Sequence, residues 1–503
     1  ALGEQEEWAP RVLARYVAGL GALYLNDGQP YQAINAYQRA VELDPWGTAA
    51  HLGMAGALAE QGDPEGAIAE YELAVKIAPA SVDAQLSLAR ALEQQGEQNR
   101  ALDIYYATAQ AHPGSAAANI ALARTLQERG QWTEAQASYE QSIAMNAGDP
   151  EAYIGLASLQ NTQANFEEAE SLLRQAIRID RNNASAYITL GDMTARLGRY
   201  AEASGTYEQA LRIQPDNWRA YAMLADVQRS SGDIDRAIQT LKKAATIEQS
   251  SFAPLLELAS IYREQNQPDS AEQMYLVALE RSPGDATVRQ AVAEFYRSMG
   301  MADEALVQLE LAVKESPDAV EALISLAEQL SLRGRADEAE ALYEQAEQAS
   351  EPAENSYRSL AVAHQSQRAF SDALAAIEQA IAGAPNEPAN WLAKSQIQVE
   401  VEDHEGALSS LQEAVRLGPA QGQTWRALGD HLYSIGETEK AIEALQKALR
   451  VEPIYLPAYE SLIQVYQDLG QPDQVAEMIA SAREAVPGSY LPDIYAARAL
   501  EEQ

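Results

Sequence analysis

Small and large apolar residues return along this chain with a period of 34 positions, fourteen times between Ala14 and Ser489, with no residue inserted or deleted. One ladder is alanine at Ala33, Ala67 and Ala101, continuing in the same step to Ala407 and Ala441. A second runs from Gly21, Ala55 and Ala89 through Ser395 to Gly429. A third runs from Ala40 and Ala74 to Ala448 and Ala482, interrupted only by Thr108 and Ser142. In the first unit, Val17, Leu20, Gly21 and Tyr24 fall at helical spacing and predict a first helix. Asn26-Asp27-Gly28 ends it, glycine being suited to left-handed backbone at a helix terminus. Ala33, Tyr37 and Ala40 mark the buried side of a second helix. Leu43-Asp44-Pro45 closes that helix, because proline cannot continue a helix interior. Gly62, Gly96, Gly130 and Gly436 repeat the turn, and Pro79, Pro113, Pro215 and Pro453 repeat the stop. The small positions let two helix backbones approach, and the large ones fill the space between them.

A fixed period in the range of about 20–50 residues predicts stacked units, each burying its apolar face on its neighbours. The expected fold is therefore all-α, an α-solenoid. Residues 14–489 form the tandem array, residues 1–13 an N-terminal helical or flexible segment, and residues 490–503 a C-terminal helix equal to half a repeat. The unit resembles the tetratricopeptide repeat, and Trp425, Leu428, Gly429, Leu432, Ala441, Leu445, Ala448 and Pro453 show its signature almost complete. The resemblance implies antiparallel helix pairs in a right-handed superhelix. It also implies that the first helices line a concave groove holding an extended peptide or a partner's helix.

Acidic residues number 74 against 36 basic, a net charge of −38, which opposes binding to a nucleic-acid backbone or an anionic membrane. No stretch approaches the roughly 20 apolar residues of a membrane span, so membrane insertion is not expected. The absence of cysteine removes disulfides, thiolate metal sites and cysteine nucleophiles. Absent cysteine and a start at Ala1 rather than methionine tilt the expected location towards the extracytoplasmic side, without naming a compartment.

The chain contains no phosphate loop, zinc helix, nucleophile elbow or calcium loop, so no catalytic residue, cofactor or metal is expected and the reading is non-enzymatic. His51 and His364 stand at packing positions of first helices and read as buried, satisfied histidines. His404 and His431 read as far apart in the repeat frame, with no third ligand. Asn183-Ala184-Ser185 is a lone glycosylation sequon at an inter-repeat junction. The pattern breaks at Ala164 and Glu402, which replace the turn glycine, and at Lys394, which replaces a leucine.

Groove-facing positions are expected at the second, fifth, ninth and twelfth places of each repeat. The fifth place gives an apolar track, Leu52, Leu86, Ile120, Ile154 and Ile188, which either holds side chains of an extended segment or packs on neighbouring first helices. Arg229, Arg263 and Arg297 occupy the twelfth place of successive repeats, with Arg196 one place off in the repeat before them. Arginine forks suit an acidic peptide or a chain terminus. Asp226, Glu294 and Asp192 stand at ion-pairing distance along the same helices and would neutralise the ladder. No repeat carries the lysine and asparagine of carboxylate-gripping members, nor an asparagine ladder at the sixth place. Two functions follow from this. One is a scaffold binding other proteins or peptides along the groove. The other is a subunit that self-assembles head to tail with copies of itself into a filament, inside or outside the cell. The filament reading places end docking on Trp8, Tyr490, Leu491, Ile494 and Tyr495.

Overall fold

In a computed structural model of the chain, residues 2–349, 354–486, 489 and 491–501 are described, the side chains of 2–9, 347, 354, 355 and 497–501 excepted. Every regular element among them is a helix, 29 in all, from α1 (Leu2–Asn26) to α29 (Leu491–Glu501). Odd-numbered helices are the first members of helix pairs and even-numbered ones the second. The chain forms two compact units, Ala1–Leu159 and Gln160–Gln503. Tyr490 lies outside the described residues, as does the side chain of Trp8.

The helix ends are written locally. Ser81, Ser115, Asn183, Asn217 and Asp285 each stand at the N-cap of a first helix and accept a bond from the backbone N–H three residues on. Such caps stabilise a helix by about 1 kcal/mol each. First helices end in a left-handed residue, glycine at most turns, with φ +86° at Gly62 and +85° at Gly436. The next N–H then reaches back across the turn, as Asp63 does to the carbonyl of Leu58 at 2.9 Å. Ala164, Asn266, Arg368 and Glu402 take the same backbone with φ between 54° and 63° despite carrying a Cβ.

Packing within the first unit rests on a large side chain wedged into a small notch. The ring of Tyr37 fills the space at Gly53, where a Cβ would lie 2.3 Å from it, and Tyr139 fills that at Gly155, where a Cβ would lie 2.2 Å from the ring. The second unit repeats the device with Tyr207 against Gly191 at 2.7 Å. Its core continues through Leu323, Leu326 and Leu360 to Leu462, Ile463 and Tyr495. A second recurrent contact comes from the fourth place of the first helices. Trp391 and Trp425 donate their indole N–H to the carbonyls of Pro385 and Pro419 at 2.9 and 2.8 Å. Tyr459 donates to Pro453 at 3.1 Å, and Asn119 to Pro113 at 3.4 Å. In these three repeats the aromatic of the repeat signature thus ties the first helix to the proline stop before it.

Two features depart from a plain array. α1 is 25 residues long and runs through residue 13 without a cap, so the segment before Ala14 and the first repeat helix are one element. In the second unit, the turn after α11 (Ala184–Arg196) meets the loops after α24 (His404–Leu417) and α26 (Thr438–Val451). Arg196 donates to the carbonyl of Ala420, and Gly198 sits against Ile454, where a Cβ would lie 2.6 Å from its Cγ2.

Candidate binding groove

The first helices of the second unit bring their second, fifth, sixth, ninth and twelfth places to one side, where they line cavities. A cavity of about 660 Å³ lies against α13 (Trp218–Ser230), between α11 and α15 (Ala253–Glu264). Trp218, Ala222, Met223 and Ala253 form its apolar floor. Asp192, Asp226 and Glu257 bring carboxylates to it, and Arg196, Arg219 and Arg229 bring guanidinium groups. A second cavity of about 410 Å³ follows the same places from Gln290 to Gln423, lined by Ile324, Glu328, Arg358, Val362 and Leu392. A third, of about 210 Å³, holds Glu294, Arg297 and Glu328.

Burial sets the electrostatics of these walls. It pushes the carboxyls of Asp192, Glu257 and Glu328 above the usual carboxylate range. At Glu257 the charge of Asp226 adds to that shift, whereas Arg297 opposes it at Glu328. Tyr207 donates its phenol to Asp192 and its own pKa is raised, first by burial and then by that bond. Arg229 divides its fork between Asp226 at 2.7 Å and Glu264 of the next first helix at 3.2 Å.

The residues expected along the groove divide clearly. In the first unit Leu86 and Ile154 are buried and Leu52 and Ile120 half-buried, so this part of the apolar track is mainly packing. In the second unit Ile188 packs against the core around Tyr207, Tyr221 and Leu224. Arg229 lines the groove in ion pairs, Arg297 lines the third cavity, and both Arg263 and Arg297 are exposed. Arg196 lines the cavity on α13 and donates to the carbonyl of Ala420. Residues the sequence did not single out are Glu257 and the exposed Met223, both at the sixth place, where the sequence shows no asparagine ladder. The signal that could have found them is the run of groove places read across neighbouring repeats rather than one place at a time.

Four further placements bear on the sequence reading. His51 is buried and bonds to Glu70 at 2.6 Å and to the carbonyl of Pro45 at 3.1 Å, the satisfied histidine expected. His404 and His431 are not far apart: their ring centroids are separated by 5.7 Å, and His431 contacts the carbonyl of His404 at 3.1 Å. Their proximity has a simple cause, since the tenth place of this first helix packs on the start of the second helix before it. No group of three or more potential metal ligands occurs among the described residues, and no helix is long and apolar enough to cross a membrane. Asn183 of the sequon is the N-cap of α11, accepting from Ala186 at 3.0 Å. At the C-terminal side Ile494 is exposed and Leu491 half-buried, whereas Tyr495 is buried in the core with Leu462 and Ile479 and offers no docking surface.

Sequence models of the tetratricopeptide repeat match residues 126–192, 194–250 and 229–295. Others match 19–82, 358–419 and 392–453, then 320–345 and 83–115. No curated protein matches the chain. Among solved structures, the crystal structure of yeast Tom70 is similar at 16% identity and a TM-score of 0.42, covering 88% of this chain and 98% of that one. The APC/C hetero-tetramer Cut9-Hcn1 is similar at 16% identity and a TM-score of 0.43, covering 97% and 96%. The repeat matches, the helix pairs and the tyrosine-in-notch packing agree: the chain belongs to the tetratricopeptide repeat family.

Proposed function

We propose that the chain is a non-enzymatic scaffold that holds an extended segment of a partner protein in the concave groove of its second unit. The observation that carries this reading is the cavity of about 660 Å³ on α13, where Trp218 and Met223 are flanked by charges of both signs. An apolar floor with a few charged groups around it is the usual make-up of a recognition site. The paired charges favour a segment with one or two apolar anchors between residues of mixed charge over a uniformly acidic one. Arg229 supports this preference, because its fork is already held by Asp226 and Glu264.

The test is selection of displayed peptide segments against the full chain, followed by calorimetric titration of the selected sequences. Trp218→Ala with Met223→Glu is expected to weaken them by about tenfold or more, in line with loss of a central anchor. Selected sequences that bind the double variant unchanged would move the site elsewhere. Electron microscopy of the purified chain addresses the head-to-tail reading separately. That reading now leans on Ile494, and fibres abolished by Ile494→Glu would make end docking the function and the groove secondary.

A further inference from the structure

We infer that the outward face of α1 is a self-association surface, covered by α1 of a second copy of this chain. Leu13, Tyr16, Leu20 and Leu23 are 51%, 72%, 50% and 60% exposed. At 100° per residue they fall within about 80° of arc. The opposite arc is the packed one, where Ala14 and Gly21 are buried and Val17, Ala18 and Leu25 half-buried. The stripe is therefore a second apolar face, left exposed among the described residues.

The later repeats show what this side of a first helix normally does. Their third, seventh and tenth places are buried, as at Ala118, Leu122 and Thr125 or Ala186, Leu190 and Met193, because the preceding second helix packs there. The third place is alanine in most repeats, small enough for that helix to come close. In α1 it is Tyr16, and the N-cap position before it is Leu13. A repeat-type helix would meet the tyrosine where it needs a notch. What remains is a row of large side chains at three-, four- and three-residue steps, the spacing of a two-helix seam that pairs with another like itself. Charge agrees: from Val12 to Tyr24 Arg15 is the one charged residue, on the far side of the helix, in a chain of net charge −38. Two copies can meet at this face without bringing carboxylates together.

Sedimentation velocity of the full chain over a concentration series tests the assignment, with a reversible dimer expected. Tyr16→Glu with Leu20→Lys should weaken it by about a hundredfold or more, since both changes fall at the centre and count twice by symmetry. Circular dichroism of that variant should stay unchanged. The chain has no cysteine, so Leu20→Cys should give a disulfide-linked dimer on oxidation, whereas Ala22→Cys, on the opposite side, should not. A monomer at every concentration, a dimer untouched by the double variant, or equal cross-linking of both cysteines would overturn it. Tighter association of Tyr16→Ala would also overturn it, by showing that the face wants a repeat-type helix.

Discussion

Glu402 carries a φ of +61° at a turn where most repeats place glycine. The left-handed region costs a residue with a Cβ about 1–2 kcal/mol, against less than that for glycine's extra entropy in the unfolded chain. Glu402→Gly and Ala164→Gly are therefore each expected to stabilise their repeat by about 0.5–1 kcal/mol, read as slower amide exchange around the turn. Gly155 is the converse case, since a Cβ there would lie 2.2 Å from the ring of Tyr139. Gly155→Ala should destabilise the first unit by about 1–3 kcal/mol, visible as a lower denaturant midpoint. The sequence marked Ala164 and Glu402 as breaks and Gly155 as one of the small places. It did not reveal that Gly155 faces a tyrosine of the repeat before it, because a period says which residues are equivalent and not which ones touch. The 5.7 Å approach of His404 and His431 is hidden in the repeat frame for the same reason.

Between residue and whole molecule, the recurrent tie from the fourth place of a first helix to the preceding proline stop gives the signature aromatic a polar task. Trp425→Phe keeps most of the ring and loses the bond to Pro419. It is expected to cost about 1 kcal/mol, with faster exchange at the start of α25 (Gly422–Ser434) and little change in remote repeats. The α11 turn is a contact between elements far apart in sequence. Gly198→Val adds a branched side chain where a Cβ already meets Ile454, at a backbone with φ +72°. Lifting this turn from the loops after α24 and α26 should raise amide exchange at residues 420–422 by about five- to tenfold, leaving the other repeat junctions unchanged. Turns and stops were legible from glycines and prolines, whereas the capped helix starts emerged from the structure. The uncapped passage of α1 through residue 13 accords with Leu13 standing where several later repeats carry a capping side chain, such as Ser81, Asn183 or Asp285.

Charge acts on the molecule as a whole. Asp192, Glu257, Glu328 and Asp430 have carboxyls raised by burial, so they hold protons in the folded state at a pH where the unfolded chain has lost them. Ionising them costs stability above their folded values, and that cost fades as pH falls towards the ordinary carboxylate range of about 4. Glu170 and Glu413 have the opposite sign, lowered by hydrogen bonds from Arg199 and Arg416, and their stabilisation is lost only below that range. Relief of self-repulsion from a net charge of −38 works in the same direction as the first group. The midpoint of thermal unfolding is thus expected to rise as pH is lowered from 8 to about 5 and to fall again below about 4. Scanning calorimetry across that range checks it, and a midpoint that falls steadily from pH 8 would contradict the assignment. Added salt should shrink the rise by screening the exposed share of the repulsion.

The repeat period, the helix pairs, their turns and stops and the family are local properties, and the sequence by itself determined them. Each depends on residues within one unit or its nearest neighbour, so a 34-residue register is enough to place Ala33 on a helix seam or Pro453 at a stop. Tertiary structure alone decided which equivalent positions face water. Leu86 and Ile154 share their place with groove residues yet are buried, while Tyr16 and Leu20 share theirs with core residues yet are exposed. It alone brought Arg196 to Ala420 and gathered Asp192, Asp226 and Glu257 around Met223. The physical reason is that burial and charge proximity depend on how successive repeats are set against one another. That geometry accumulates from many small packing choices and is written in no single unit.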